Sequence, residues 1–307
     1  MYHRTYHRPS THHHRPLTLA SPNPAQCDGG SFSGDVLKPV QANSTYVVYF
    51  RGLHILRAII ATLQSDHGLA QAESVLVTGC SAGGLATFFQ ADNIAAMVHE
   101  RNPATLVVAA PGAGFFLDTL SFAGQNLVEG MYKWVVDNHN LTASLKPQCV
   151  SDVAPRDPSV CFIAPIMLKY IQTPLFVSNS LTDAAQTSFV MGLPCSPASG
   201  NCNSTEIAYV DKFNALMIEQ LAVVLKGAPK YGAFLVNCEV HMVQDVDGAF
   251  SSITVNGATH AQTLGHWFKG EAGGVQVDAL WSAGPGPHGG NAQCGAYAPV
   301  PSSPGGP

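Results

Sequence analysis

The run Gly79-Cys80-Ser81-Ala82-Gly83-Gly84 follows the apolar stretch Ser74–Thr78 and precedes a helical stretch reaching about Glu100. A serine on a tight strand-to-helix turn is held in a strained conformation, with its hydroxyl projecting above the sheet. That placement suits nucleophilic attack on a carbonyl. The Ala82 N–H can donate to the developing oxyanion, and the helix N-terminus favours negative charge there. Gly79 and Gly83 are expected to be required because side chains at either position would clash with strand and helix. Gly-x-Ser-x-Gly alone recurs by chance around ordinary serines. Its weight here comes from the strand before it and the helix after it.

A nucleophilic serine needs a base and an orienting acid. On a sheet of this kind they follow in the order Ser, Asp or Glu, His, just past the ends of later strands. Asp183 lies in Asn179-Ser180-Leu181-Thr182-Asp183, after the strand-like Pro174–Ser178. His241 lies in Asn237-Cys238-Glu239-Val240-His241, after the strand-like Ala233–Val236. Asp183 could instead, or also, cap a helix. Asp118 competes for the acid role, and His260 and His266 compete for the base.

The elements that must position these residues follow from hydrophobic period and composition. Tyr46–Phe50, Ser74–Thr78, Thr105–Ala109, Pro174–Ser178 and Ala233–Val236 are strand-like, rich in β-branched, aromatic or apolar residues. Ile55, Leu56, Ile59, Ile60 and Leu63 recur at helical spacing, as do Phe213, Leu216, Met217, Leu221 and Val224. Apolar strands separated by amphipathic helices predict an α/β protein, a mostly parallel sheet covered by helices on both faces.

The 307 residues hold 46% hydrophobic and only 11% charged residues, enough apolar matter for a large core and too little charge for a mainly disordered chain. A net charge of −5 offers no footprint for nucleic acid, and no run of 18 apolar residues predicts a membrane span. Residues 1–26 hold five of the 13 histidines and lack the apolar core of a secretory signal. His12-His13-His14 could bind a metal, but the leader is expected to be a solvated tail. Residues 283–307, dense in Gly, Pro and Ser, are also expected to be disordered, which leaves a folded unit over 27–282. None of the eight cysteines forms a Cys-x-x-Cys. Cys149/Cys161 and Cys195/Cys202 could each close a short disulfide loop, and together with three Asn-x-Ser/Thr sequons they lean toward an oxidising compartment.

Gly79-Cys80-Ser81-Ala82-Gly83-Gly84-Leu85-Ala86 resembles the nucleophile motif of plant-type pectin acetylesterases, in the pectin acetylesterase/Notum family of α/β hydrolases. Cys27-Asp28-Gly29-Gly30-Ser31-Phe32-Ser33-Gly34-Asp35, Phe50-Arg51-Gly52, Ala113–Asp118 and Leu264-Gly265-His266-Trp267-Phe268 are similar to further family segments. The resemblance covers about residues 27–270. It implies a secreted or cell-wall serine carboxylesterase that removes acetyl groups from pectin-like polysaccharide, with no metal or organic cofactor and no nucleic-acid or membrane partner. A monomer is expected. Ser81 would be the nucleophile, Asp183 the acid, His241 the base and Ala82 an oxyanion donor. Family members carry a strand and a Gly-Gly-Gly-Trp-Cys loop before the segment that begins here at Cys27. The chain is therefore expected to be N-terminally incomplete relative to them, and the alternative reading is an inactive or carbohydrate-binding member.

Overall fold

A computed structural model describes residues 29–246 and 248–297 of the chain. The leader with its histidine triplet, and Cys27, lie outside the described residues. Five strands, β1 (Ser74–Cys80), β2 (Leu106–Gly112), β3 (Leu175–Ser180), β4 (Tyr231–Val236) and β5 (Val275–Val277), form one sheet in the order of the chain. Every neighbouring pair is parallel. The main helices are α1 (Gly52–Asp66), α2 (Ala82–His99), α3 (Val128–Asn138), α4 (Ala184–Phe189), α5 (Ser204–Gln220) and α6 (His260–Lys269).

Alternation along the strands splits the core in two. Leu175 and Val177 of β3 and Ala233 and Leu235 of β4 join one cluster with Phe88, Phe115, Phe162 and Met217. Phe176, Phe234 and Val236 face the other way, onto Val243, Ile253 and Trp267. A third cluster packs α1 and α2 on β1 and β2 through Leu56, Ile60, Ile94, Val98 and Val107.

Two expectations need correction. Tyr46–Phe50 contributes only Val47–Val48, paired with Val40–Gln41 in a separate antiparallel pair outside the main sheet. The fifth strand is instead Val275–Val277, too short to carry a period. The mostly parallel sheet with its helices is as expected, with β1 at its edge. Ser74, Leu76 and Thr78 of β1 are exposed on alternate positions. The packed chain does not stop at 282. Trp281 is buried, its indole N–H donates to the His288 carbonyl, and Cys294 is disulfide-bonded to Cys238. Residues 298–307 lie outside the described residues.

His260, once a competitor for the base, sits inside the fold. Its ring stacks on Phe176 and Phe234 at 5.6 and 5.1 Å between centroids, with Phe250 edge-on at 4.7 Å. Burial lowers its pKa from 6.5 to about 4, and Nδ1 has no hydrogen-bond partner among the described residues. The unfolded chain therefore binds a proton between those values that the folded chain refuses. The stabilisation is full above pH 6.5 and is lost as pH falls toward 4. Wild type is expected to lose about 2 kcal/mol between pH 7 and pH 5 from this group alone. Denaturant titrations at the two pH values should show that part of the loss disappear in His260→Phe. An identical pH dependence in both proteins would refute the assignment.

Candidate active site

Ser81 sits between β1 and α2 with φ 57° and ψ −122°, a region that non-glycine residues adopt only under constraint. Its N–H donates to the Gly112 carbonyl at 3.0 Å, which ties the elbow to the end of β2. The expectation for the glycines is half right. A Cβ on Gly79 would lie 2.4 Å from the Gly83 carbonyl oxygen. A Cβ on Gly83 would meet nothing within 4 Å. The second tight position is Gly84, where a Cβ would lie 2.2 Å from the Gly112 oxygen. Ala82 is the first residue of α2, an 18-residue helix, so its N–H is among those with no partner inside the helix.

Asp183 and His241 are brought together across 58 residues. The fully buried Asp183 carboxylate accepts from His241 Nδ1, at 2.9 Å to Oδ1 and 2.8 Å to Oδ2. A carboxylate only accepts, so Nδ1 carries the proton and Nε2 is left with its lone pair. Asp183 is also the cap of α4, with Oδ1 accepting from Ala185 N–H at 2.9 Å and Gln186 N–H at 3.0 Å. One side chain thus both meets His241 and caps a helix. Among the described residues no hydrogen bond joins Ser81 to His241. Such bonds are often formed only once substrate is bound. Ser81, Asp183 and His241 follow β1, β3 and β4 at the same end of a parallel sheet.

A buried polar network holds the two later loops in register. Thr182 donates to Asn237 Oδ1 at 2.7 Å, and Asn237 Nδ2 donates to Asn214 Oδ1 at 3.0 Å and the Ala279 carbonyl at 2.8 Å. The Ser180 hydroxyl donates to the Cys238 carbonyl. Glu239 accepts from Ser196 Oγ and Ala198 N–H, both at 2.7 Å, while burial raises its pKa above the ordinary carboxylate range. The Cys238–Cys294 disulfide, 56 residues apart in sequence, anchors the start of the His241 loop. Cys149–Cys161 and Cys195–Cys202 are also bonded, as the spacing allowed. Glu206 lies near the latter pair, but a disulfide supplies no thiolate for a metal.

The competing residues are elsewhere. The Asp118 carboxylate accepts from Asn126 Nδ2 at 3.2 Å and faces Arg156 at 3.7 Å. His260 is enclosed in its aromatic cage, and His266 lies in the last turn of α6, where a Cβ on Gly273 would meet its ring.

A cavity of about 470 Å³ opens beside Ser81 and Ala82. Its walls are Leu85, Phe116, Phe162 and Phe189 together with Leu127, Val128, Met131, Tyr132 and Val135 of the α3 region. Gly29 and Ser31 close one side, the latter at φ 55°. Among the described residues none that lines it is charged, and burial raises the Tyr132 pKa, which keeps the phenol neutral. This cavity was not legible in the sequence. The only signal is the apolar spacing of Leu127, Met131 and Val135, which equally fits an ordinary core face.

A parallel sheet with its serine on a strand-to-helix elbow, and an Asp–His pair past two later strands, defines an α/β-hydrolase-like protein. The Wnt deacylase Notum from Drosophila shares this fold. It superposes with a TM-score of 0.70 at 20% identity, over 83% of this chain and 69% of that one. The pattern of the Pectinacetylesterase family matches residues 25–288, and the chain belongs to that family. Pectin acetylesterase 11 of Arabidopsis thaliana is 28% identical over 255 residues, 79% of this chain and 62% of its own length. The palmitoleoyl-protein carboxylesterase NOTUM of Drosophila melanogaster is 27% identical over 178 residues, 57% of this chain and 26% of its own. The chain spans less than two thirds of the length of the pectin acetylesterases it matches. No helix among the described residues is long and apolar enough to cross a membrane.

Proposed function

We propose that this chain is a serine carboxylesterase that removes acetyl groups from pectin-like cell-wall polysaccharide through an acetyl-enzyme. The observation that carries the reading is the buried Asp183–His241 pair set at the same sheet end as the Ser81 elbow. His241 Nε2 takes the Ser81 proton as Oγ attacks the ester carbonyl, and Asp183 stabilises the imidazolium that results. The Ala82 N–H and the start of α2 support the tetrahedral oxyanion. Collapse of that intermediate breaks the bond to the sugar oxygen, which leaves with the proton from His241. Water, deprotonated by His241, then attacks the acetyl-enzyme and releases acetate and free Ser81. The mechanism asks for no metal or cofactor. Three disulfides fit an extracellular place of action.

The cavity favours a second reading, an ester with a longer acyl chain. A volume of about 470 Å³ lies within the range of about 300–1,000 Å³ that holds a drug-sized ligand. Two acetyl carbons leave most of it unused. The two cations beside the α3 wall are each already matched with two carboxylates, Lys133 with Asp137 and Asp157, and Arg156 with Asp118 and Glu129. That surface offers little to a polyanion.

A p-nitrophenyl ester series from acetate to decanoate, run beside acetate release from acetylated pectin, separates the readings. If the chain enters the cavity, four added methylenes are worth about 3 kcal/mol at most, so hexanoate should exceed acetate in kcat/KM by tens of fold. A profile that peaks at acetate, with acetate released from pectin, supports deacetylation and discards the long-chain reading. Folded protein that hydrolyses none of these esters removes the carboxylesterase proposal itself.

A further inference from the structure

Cys80 precedes the candidate nucleophile and plays no part in the proposed chemistry, yet a side chain of the His241 loop holds it. Gln244 Nε2 donates to its sulfur at 2.9 Å. Burial first, then Asp245, raises its pKa to about 12, so it is a neutral thiol with little reactivity of its own. Gln244 and Asp245 lie on the one-turn helix Val243–Asp245, which begins two residues after His241.

The Gln244 amide also fills the space over Gly112, where a Cβ would lie 2.0 Å from Nε2. Cys80, Gly112 and Ser178 are register partners across β1, β2 and β3, at the level where the chain leaves the sheet for Ser81. Among the described residues, Gln244 Oε1 and Ser178 Oγ are both buried without a hydrogen-bond partner. The hold of the amide on the sheet therefore rests on the bond to Cys80 and on the gap that Gly112 leaves. Between His241 and this contact, Met242 has φ 55°, a conformation that a non-glycine residue keeps only when its surroundings impose it.

Asp183 fixes the rotation of the imidazole, and the Cys238–Cys294 disulfide fixes the start of its loop. Among the described residues, neither is hydrogen-bonded to the strand that carries Ser81. We propose that Gln244 is a positioning residue: bridging to Cys80 over Gly112, it latches the far end of the His241 loop to the nucleophile strand and so sets the approach of Nε2 to the serine hydroxyl. Its catalytic half rests on the serine-esterase reading, and its structural half does not.

The test pairs amide hydrogen exchange with kinetics in Gln244→Leu, Cys80→Ala, the double variant and Cys80→Ser. Exchange over residues 237–246 should rise at least tenfold in Gln244→Leu and in Cys80→Ala. The double variant should add little, because both changes open the same contact. The α5 segment should exchange as in wild type. On the best ester substrate, kcat should fall about tenfold in both single variants with KM within twofold, since the ester site is untouched. Cys80→Ser, which keeps a donor and an acceptor, should stay within threefold of wild type.

Unchanged exchange over 237–246 in Gln244→Leu overturns the latch, whatever the rates do. Faster exchange with unchanged kcat overturns the positioning role. If wild type shows no Ser81-dependent turnover, the esterase reading is what fails, and exchange still decides whether the latch exists. Should Gln244→Leu not fold, Cys80→Ala against Cys80→Ser carries both readouts.

Discussion

Ser81→Ala is expected to reduce ester hydrolysis by about 10⁴-fold or more, because nucleophile and base act as a unit and neither works alone. The substitution leaves the rest of the site in place. Asp183 still holds His241 Nδ1 at 2.8 Å, and the Gly112 carbonyl still accepts the backbone N–H of residue 81 at 3.0 Å. Alanine at φ 57° is no less strained than serine, so the variant should unfold within a few degrees of wild type. Two measurements check this together: initial rates on p-nitrophenyl esters, and labelling by a fluorophosphonate, which should reach one equivalent on wild type and none on the variant. Equal rates in the two proteins would show that any hydrolysis takes place elsewhere.

Asp183→Asn should cost almost as much, about 10⁴-fold in kcat, while leaving stability nearly intact. Both halves come from the same geometry. Oδ1 caps α4 through the Ala185 and Gln186 amides, and asparagine is as good a cap as aspartate. With its oxygen kept on those amides, the new side chain turns an NH₂ group toward His241. The imidazole must then accept at Nδ1 and carry its proton on Nε2, the wrong tautomer for a base. Asp183→Ala should lose the rate and also about 1 kcal/mol of stability with the cap. Thermal unfolding and kcat measured on both variants separate the two roles. Activity of Asp183→Asn within tenfold of wild type would contradict the assignment of the acid.

The sequence carried the local parts of this arrangement well. The elbow is legible because strand, turn and helix are contiguous, and Asp183 and His241 are legible because each closely follows an apolar run that becomes a buried strand. The two short disulfides close over 12 and 7 residues and could be foreseen from spacing. Cys238–Cys294 could not, since it joins the His241 loop to a Gly-rich segment whose composition argued for disorder. Tyr46–Phe50 misled for the opposite reason. Its β-branched and aromatic residues fit a strand, but Tyr46, Val47 and Tyr49 remain largely exposed beside a two-residue partner.

By itself, then, the sequence determined the class of fold, the places of Ser81, Asp183 and His241 just past successive strands, and the tight turn under Ser81, because each depends on residues close together along the chain. Only the tertiary structure decided that Gly84 rather than Gly83 is the second crowded glycine, that Asp183 meets His241 across 58 residues, and that a mostly apolar cavity of about 470 Å³ opens beside the serine. It also excluded His260 by enclosing it among three phenylalanines. Those outcomes are set by how β2, α3 and the loops after β3 and β4 pack on one another. Side-chain volume and direction decide such packing, and no period along the sequence records them.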